Sequence, residues 1–328
     1  MSLATLAIFL LCVCVGSVAV PLNDALSSVF GAIFGFASED AAARAIIVSV
    51  RLPRVLCVAL SGAALSLCGG AMQGLLRNPL ADGSTLGVSS GASLGAVLAI
   101  ALGLQIPGFS GGATMLMAML FAFISLFVIL SLAYRLDYSL STNTIILIGI
   151  IFSMFASSLI SLVIAFAGER VRTITFWTMG SLSGTGFTDV LTLLAALLFF
   201  GGLLLRYSRE LNAFAIGEDN ARSIGVNVRR VKLMVLICAS ALIGVCVSIG
   251  GTIGFVGLVT PHMTRMLVGP NHKKLLPASI FAGACFLMLA DLLARTVLNP
   301  IELPIGVVTS FIGSIVFIYI FYKSGKGR

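Results

Sequence analysis

Few side chains of this sequence are able to do chemistry, and their spacing argues against bound metal. The two histidines, His262 and His272, have no metal-ligand spacing to each other or to a cysteine. We therefore expect His262 to serve packing rather than ligation. All seven cysteines lie inside apolar runs, and none forms a CxxC pair. The sequence predicts neither a metal site nor a structural disulfide.

Motifs that would bind nucleotide phosphates or build a nucleophile are also missing from the sequence. It contains no P-loop, HExxH or GxSxG, and no pair of carboxylates inside its apolar runs. We predict that the chain is not an enzyme, has no catalytic residue or cofactor, and cannot hydrolyse ATP by itself. Asp291 and Arg295 lie toward the end of an apolar run. A mid-membrane acid, typical of proton- or sodium-coupled carriers, is therefore missing, which argues against such a carrier.

The charged side chains concentrate in one stretch, Arg206 to Lys232, which we name the elbow. It holds nine of the chain's 32 charged residues, the sum of 20 basic and 12 acidic ones. Residues 211–216 and 221–224 read as two short amphipathic helices, ended by Gly217 and Gly225, because glycine terminates helices without strain. An ordinary loop would have the same composition. A polar segment of this kind between two membrane spans is also a place where a cytoplasmic partner protein can bind.

The composition outside the elbow excludes a soluble globular protein. Hydrophobic residues make up 59% of the chain and charged residues 10%, and the mean hydropathy is +1.13. Apolar runs of about 20 residues recur, each long enough to cross a bilayer. The formal charge of +8 comes from scattered basic residues rather than a basic patch, so we predict no nucleic-acid partner.

These runs predict an all-α polytopic membrane protein with ten transmembrane helices in a single domain, residues 1–328, that includes a cytoplasmic loop at 207–230. The first run is interpreted as a span rather than a cleaved signal peptide, because it has no basic n-region. Gly250 and Gly251 divide residues 233–268 into a seventh span and a short eighth one. The other spans are predicted at 3–20, 55–76, from Gly87 onward, 113–134, 144–166, up to Leu205, 278–296 and 303–322.

The distribution of lysine and arginine sets the predicted orientation. With both termini in the cytoplasm, 14 of the 20 basic residues lie on the inside and six on the outside. Basic residues favour cytoplasmic loops, so this orientation is preferred to its inverse. The elbow then lies in the cytoplasm.

Two predicted spans carry small residues at every fourth position. Such a ridge lets another helix approach closely within lipid. The second span has Gly62, Ser66, Gly70 and Gly74, and the third has Gly87, Gly91 and Gly95. We expect both ridges to pack against helices rather than face lipid.

Five motifs run through nearly the whole chain and resemble one known family. They are RLPR (51–54), MQGLLRNPLADGSTLGVSSGASLG (72–95), GTIGFVGLVTPHMTRMLVGPNHKKLLP (251–277), GACFLMLADLLAR (283–295) and ELPIGVVTSFIG (302–313). By these motifs the chain resembles the FecCD-type permeases of ABC importers for iron–siderophore, haem and cobalamin, which are type II importers. It departs from the family at Gly83 and Ile315, where proline is usual.

The resemblance implies partners and places for them. Permeases of this family are multi-pass proteins of the cytoplasmic membrane that pair as dimers, bind two ATPase subunits, and receive a substrate-binding protein on the outside. The matching docking residues are Arg51, Arg54 and Arg295, although Arg51 and Arg54 could instead snorkel to lipid headgroups. Arg170 and Arg172 have no family match, and snorkelling is expected for them. The elbow residues that match the family's ATPase-binding loop are Ala215, Gly217, Glu218, Asp219, Ala221, Arg222 and Gly225.

The resemblance also narrows the function. We expect the permease subunit of an ATP-driven importer for a metal chelate, with ferric siderophore preferred and haem or cobalamin as alternatives. A self-powered secondary carrier or channel is the alternative from a different class. The sequence leaves open whether the second permease subunit is identical or a paralogue.

Overall fold

The part of the chain that the structure describes folds as a set of helices. The structure, a computed structural model, describes residues 1–16, 45–83, 86–108, 111–138 and 141–325. In chain order the helices are α1 (Ser2–Cys14), α2 (Leu52–Leu75), α3 (Val88–Leu102), α4 (Gly112–Leu136), α5 (Thr142–Phe166), α6 (Val171–Thr178), α7 (Phe187–Ala196), α8 (Gly202–Arg206), α9 (Ser208–Ala215), α10 (Glu218–Ser223), α11 (Val228–Gly250), α12 (Val256–Val268), α13 (His272–Thr296) and α14 (Ile305–Gly325). A π-helical turn, Ile46–Arg51, leads into α2, and another, Leu197–Gly201, joins α7 to α8. The all-α prediction is confirmed.

Among the described residues, six helical segments are long and apolar enough to cross a membrane. They are Ile46–Leu75, Gly112–Leu136, Thr142–Phe166, Phe187–Arg206, Val228–Gly250 and His272–Thr296. Three shorter apolar helical segments are α1, α3 and the Ile305–Ile320 part of α14. The membrane-protein prediction is confirmed, whereas the count of ten spans, the single-domain boundaries and the cytoplasmic position of both termini stay predictions. Residues 17–20 of the predicted first span lie outside the described residues.

Two helices form the centre of the bundle. We compare the buried share of the most apolar 18 residues in each segment. This share is 83% in Ile46–Leu75, which contains α2, and 78% in α11. In α4, α5 and the α7–α8 segment this share is only 22–28%. Since a helix that is apolar all round and buried belongs to the interior, α2 and α11 are core helices, and the other three lie at the periphery.

The glycines of α2 set how closely its neighbours approach. A Cβ added to Gly62 would overlap with the carbonyl oxygen of Gly283 in α13, and one on Gly283 would overlap with the carbonyl of Gly62. Gly70 and Gly74 also face residues of α13. The α2 ridge therefore lies against α13, with backbones in contact.

The glycines of α3 allow close approach of a different helix, α4. A Cβ on Gly91 would lie 2.5 Å from the Ser125 Cβ of α4, and one on Gly95 would lie 2.7 Å from the Phe121 Cβ. Gly87 has a φ of 72° and forms the N-cap of α3, a conformation that favours glycine. The α3 ridge therefore packs against α4.

A break separates α11 from α12, as the Gly250–Gly251 pair predicts. Gly251 has a φ of 67° and Phe255 a φ of 66°, so the chain reverses sharply between the two helices. The backbone N–H of Ser181 donates to the carbonyl of Gly250 at 2.9 Å, which holds the reversal in place. With 13 residues, α12 is about 20 Å long and shorter than the roughly 30 Å apolar layer of a bilayer.

Candidate functional site

The elbow folds as the two short helices that its sequence predicts. These are α9 and α10, and they join the end of α8 to the start of α11. Gly217, with a φ of 116°, separates α9 from α10, and Gly225, with a φ of 89°, follows α10. Asn227 then caps α11 by accepting a hydrogen bond from the backbone of Arg230 at 3.0 Å. The turns of the elbow are thus fixed by glycines and by a side-chain cap.

One face of the elbow is part of the chain's own core. Leu211, Phe214 and Ala221 are completely buried and belong to the main hydrophobic cluster. Ala221 matches the family's ATPase-binding loop, but its side chain faces the bundle, and its part in coupling to the ATPase stays a prediction. The six-residue α10 packs this small side chain inward, and the elbow is docked on the bundle rather than suspended from it.

An ion pair ties the elbow to α11. The Lys232 ammonium group lies 2.7 Å from the nearer Glu218 carboxylate oxygen, and the lysine side chain is fully buried. A buried ammonium group is stable only when a partner offsets its lost hydration. Glu218, expected to contact a partner protein, is therefore directed toward its own chain, where it fixes α10 to α11.

A hydrogen-bond cluster ties the elbow to α13. The Asn212 side chain of α9 donates to the Asn271 side chain at 2.9 Å. It also accepts from the His272 backbone at 2.8 Å, and it lies 2.9 Å from the His272 Nδ1. The His272 ring in turn lies against Gly74 at the end of α2. The elbow is thereby linked to the ends of three long helices, α2, α11 and α13.

The other elbow residues that match the family's ATPase-binding loop lie on the outward face of the elbow. Ala215, Asp219, Arg222 and Gly225 are exposed, and Gly217 is half-buried. Arg222 and Asp219 form an exposed ion pair at 3.5 Å.

Two exposed isoleucines on this face were missed by the reasoning from sequence. Ile216 is 61% exposed and Ile224 is 65% exposed, whereas Phe214 and Ala221 of the same two short helices are buried. Each directly precedes a glycine that ends a helix, and this repeated Ile–Gly pair is the signal that could have found them. The elbow therefore presents two apolar side chains among charged ones, as protein-binding surfaces do.

At the opposite end of α2, the three expected docking arginines lie close together. Arg54 donates from Nε and Nη2 to the Asp291 carboxylate at 3.1 and 2.9 Å. Its Nη1 donates to both Glu302 carboxylate oxygens at 3.0 and 2.9 Å. Arg295, one turn after Asp291 on α13, contacts the other oxygen of that carboxylate at 3.2 Å. We name Arg54, Asp291, Arg295 and Glu302 the charge cluster.

Arg51 and Arg295 also hold the short helix α1. The Arg51 guanidinium donates to the carbonyl oxygens of Val13 and Cys14 at 3.3 and 2.8 Å. Arg295 donates to the carbonyl of Cys12 at 2.6 Å. These carbonyls lie at the end of α1, where helical partners are missing, so the arginines satisfy otherwise unpaired groups.

The three arginines are not exposed at the surface of the chain. Arg51, Arg54 and Arg295 are 5%, 9% and 3% exposed, and their part in docking the binding protein stays a prediction. The physical reason is Asp291, itself 1% exposed, whose buried carboxylate requires cationic partners. Arg170 also differs from expectation, since it donates to the Ile100 and Ala101 carbonyls at 3.0 and 2.7 Å and caps α3.

A cavity of about 390 Å³ opens between α3, α5 and the segment before α12. Hydroxyl groups dominate its polar lining, which consists of Ser89, Ser90, Ser93, Ser157, Ser161, Thr178 and Thr252, together with the carboxylate of Asp82. Within the described residues, no group of three or more histidine, cysteine, aspartate or glutamate side chains could hold a metal ion. The cavity can therefore hydrogen-bond a polar guest but offers no metal-ligand set.

Comparison with known proteins identifies the family. The FecCD transport family matches residues 4–323. The chain belongs to this family. Its relatives are permeases of ABC transporters, and the chain is an ABC permease of the FecCD type.

Curated relatives cover most of the chain. It is 44% identical over 298 residues to the ABC transporter permease protein YvrB of Bacillus subtilis, covering 91% of this chain and 84% of the relative. It is 35% identical to the hemin transport system permease protein HmuU of Yersinia pestis, covering 93% and 91%. It is also 35% identical to the molybdate import system permease protein MolB of Haemophilus influenzae, covering 88% and 84%.

A solved structure has the same architecture. It is an ABC transporter assigned to the metal-chelate type, in an inward-facing conformation. The TM-score is 0.86 and the sequence identity 32%, with 98% of this chain and 97% of the other covered. The arrangement of helices described above is therefore shared with this transporter.

Proposed function

We propose that this FecCD permease imports a metal chelate across the cytoplasmic membrane, driven by two separate ATPase subunits and supplied by an external substrate-binding protein. The observation that carries the proposal is the elbow, which presents exposed side chains outward and is tied inward to α2, α11 and α13. A segment so attached can pass a partner's movement to helices around a pathway. A second permease subunit, identical or paralogous, completes the transporter.

The ATPase contact is assigned to the outward face of the elbow. Ile216 and Ile224 provide apolar anchors, and Asp219 and Arg222 provide polar contacts around them, an arrangement typical of protein interfaces. Gly217 and Gly225 set the backbone turns, and Ala215 is a small exposed side chain next to Ile216. Glu218 and Ala221 act indirectly, because they hold α10 on the bundle.

The binding-protein contact is assigned to the opposite end, at Arg51, Arg54 and Arg295. Because these arginines are buried, docking requires an exchange of partners. Glu302 is the exchangeable one, since its side chain is 35% exposed whereas that of Asp291 is 2% exposed. A carboxylate of the binding protein would replace Glu302 on Arg54 in a bidentate contact.

The cargo we favour is a ferric siderophore. The cavity combines apolar residues such as Leu65, Ile243 and Phe255 with hydroxyl groups. It suits a chelate whose metal is already wrapped in organic ligand, because its described lining offers hydrogen bonds and no metal-ligand set. Haem and cobalamin are the alternatives within the family. Uptake of ⁵⁵Fe-labelled siderophore by cells that carry only this permease, with unlabelled haem or cobalamin as competitor, distinguishes these cargoes.

The experiment that tests the elbow is co-purification of the ATPase with the permease. Ile224→Asp places a charge on the exposed face and should abolish retention of the ATPase subunits while the permease still reaches the membrane. Leu104→Asp is the control, since Leu104 is 44% exposed in the loop after α3, at the other end of the bundle. Equal ATPase retention by Ile224→Asp and the parent would contradict the assignment. Ala221→Trp is less informative, because it would disrupt the elbow's own packing.

A further inference from the structure

An apolar groove of about 470 Å³ lies between α4 and α11 at the surface of the bundle. Its lining consists of Phe123, Leu126, Phe127, Leu130, Ser131, Tyr134, Arg229, Leu233 and Ile237. From Phe123 to Tyr134 the groove follows α4 for about 17 Å at the helical rise of 1.5 Å per residue. This length accommodates most of a lipid acyl chain.

The end of the groove nearest the elbow is positively charged. The Arg229 guanidinium carbon lies 4.8 Å from the centre of the Tyr134 ring and 5.9 Å from that of Tyr138. The two rings are 4.3 Å apart, so they hold the guanidinium from one side by cation–π contacts. Arg230 follows Arg229 in sequence, Arg135 follows Tyr134, and both of these arginines are exposed.

Nothing within the described part of the chain neutralises this arginine. No carboxylate there lies within ion-pair distance of Arg229, whereas Lys232, Arg54 and Arg295 all have acidic partners. Its planar guanidinium is fixed by the tyrosines and retains donors for an anion, which arginine binds in a bidentate way.

We propose that this groove binds one anionic phospholipid, with an acyl chain along α4 and α11 and its phosphate at Arg229. The charge complementarity of the arginine end selects an anionic headgroup, and the apolar lining selects a long chain. The assignment to the cytoplasmic leaflet rests on the proposed function, because it places the elbow in the cytoplasm. The phospholipid would hold the start of α11 against α4, three residues before Lys232.

Native mass spectrometry of the purified full-length chain tests the site. The chain, in detergent, is mixed with phosphatidylglycerol or with phosphatidylcholine of the same acyl length. The parent should retain one phosphatidylglycerol in preference to phosphatidylcholine. Arg229→Gln should weaken that retention about fivefold, the effect of losing one basic residue near an anionic lipid. Arg172→Gln is the matched control, since Arg172 makes a similar contact with Phe176 at 5.8 Å but lines no such groove.

A second variant tests the acyl chain. Leu130→Trp fills the groove and leaves the arginines in place, so phosphatidylglycerol retention should fall while a folded, monodisperse protein remains. Glycerol phosphate, which has the headgroup without the chain, should not compete. Equal retention by the parent and Arg229→Gln, competition by glycerol phosphate, or cross-linking of two copies of the chain through a Phe127→Cys substitution would each overturn the proposal. Since the assay needs no ATPase and no cargo, its failure leaves the transport proposal untouched.

Discussion

Among the charged residues that the structure describes, Lys232 and Asp291 are the most completely buried. Lys232 is fully buried and pairs with Glu218, and Asp291 is 1% exposed and pairs with Arg54 and Arg295. A buried pair offsets its desolvation only when both members are present, so loss of one member is costly. The same chemistry thus fixes both ends of the bundle, at the elbow and at the charge cluster.

Glu218→Gln should destabilise the protein by about 3 kcal/mol, because it removes the carboxylate charge that lies 2.7 Å from the buried Lys232 ammonium group. The measurement is thermal unfolding in detergent, followed with a thiol-reactive dye that labels the buried Cys68 and Cys246 on unfolding. Asp219→Asn is the control, since the Asp219 carboxylate is 97% exposed and should leave the midpoint unchanged. Identical midpoints for Glu218→Gln and Asp219→Asn would contradict the role given to the ion pair.

The two acids of the charge cluster should differ in their effect on stability. Asp291→Asn should lower the unfolding midpoint strongly, because both Arg54 and Arg295 lose their shared buried partner. Glu302→Gln should lower it little, since that side chain is partly exposed and, within the described residues, forms its ion pair with Arg54 alone. In a liposome docking assay, Glu302→Gln should strengthen binding of the substrate-binding protein. Weaker docking of Glu302→Gln would refute the exchange of carboxylates at Arg54.

At the level of helices, backbone contact between glycines sets the packing of α2 and α3. A side chain at Gly91 would meet Ser125 at 2.5 Å, and backbone atoms of α4 lie just beyond, so the helices would have to separate.

Gly91→Leu should therefore cost about 1–3 kcal/mol of stability, the usual range for overpacking. Gly202→Leu is the matched control on another helix, because a Cβ at Gly202 has no atom within 4 Å. Thermal unfolding and ATP-driven uptake are measured for both variants. If Gly91→Leu is as stable and as active as Gly202→Leu, the close approach of α3 and α4 is not required.

The sequence predicted helices better than it predicted their faces. Hydropathy identified the long spans, Gly250–Gly251 identified the break, and Gly217 and Gly225 identified the ends of the elbow helices. The inward direction of Ala221 was not predictable, because a six-residue helix has too few positions for a periodic pattern. The burial of Arg54 was missed for another reason. Its partners Asp291 and Glu302 are 237 and 248 residues away in sequence, and only the tertiary fold brings them together.

At the scale of the whole molecule, the contacts between the elbow and the long helices define how movement of an ATPase would be transmitted to the permease. The elbow is linked to α11 through Glu218 and Lys232, and to α13 through Asn212 and Asn271. Movement of a bound ATPase would therefore reach the two long helices that pack on α2. A self-powered carrier would have no use for this connection.

The most direct test of this account is chelate uptake into proteoliposomes that contain the permease, its ATPase and its binding protein. We predict uptake only when ATP is present on the side of the elbow, and loss of uptake in Ile216→Asp and Ile224→Asp with binding-protein docking intact. The Leu104→Asp control should transport like the parent. Uptake by the permease alone without ATP, or full ATP-driven uptake by the two elbow variants, would contradict the account.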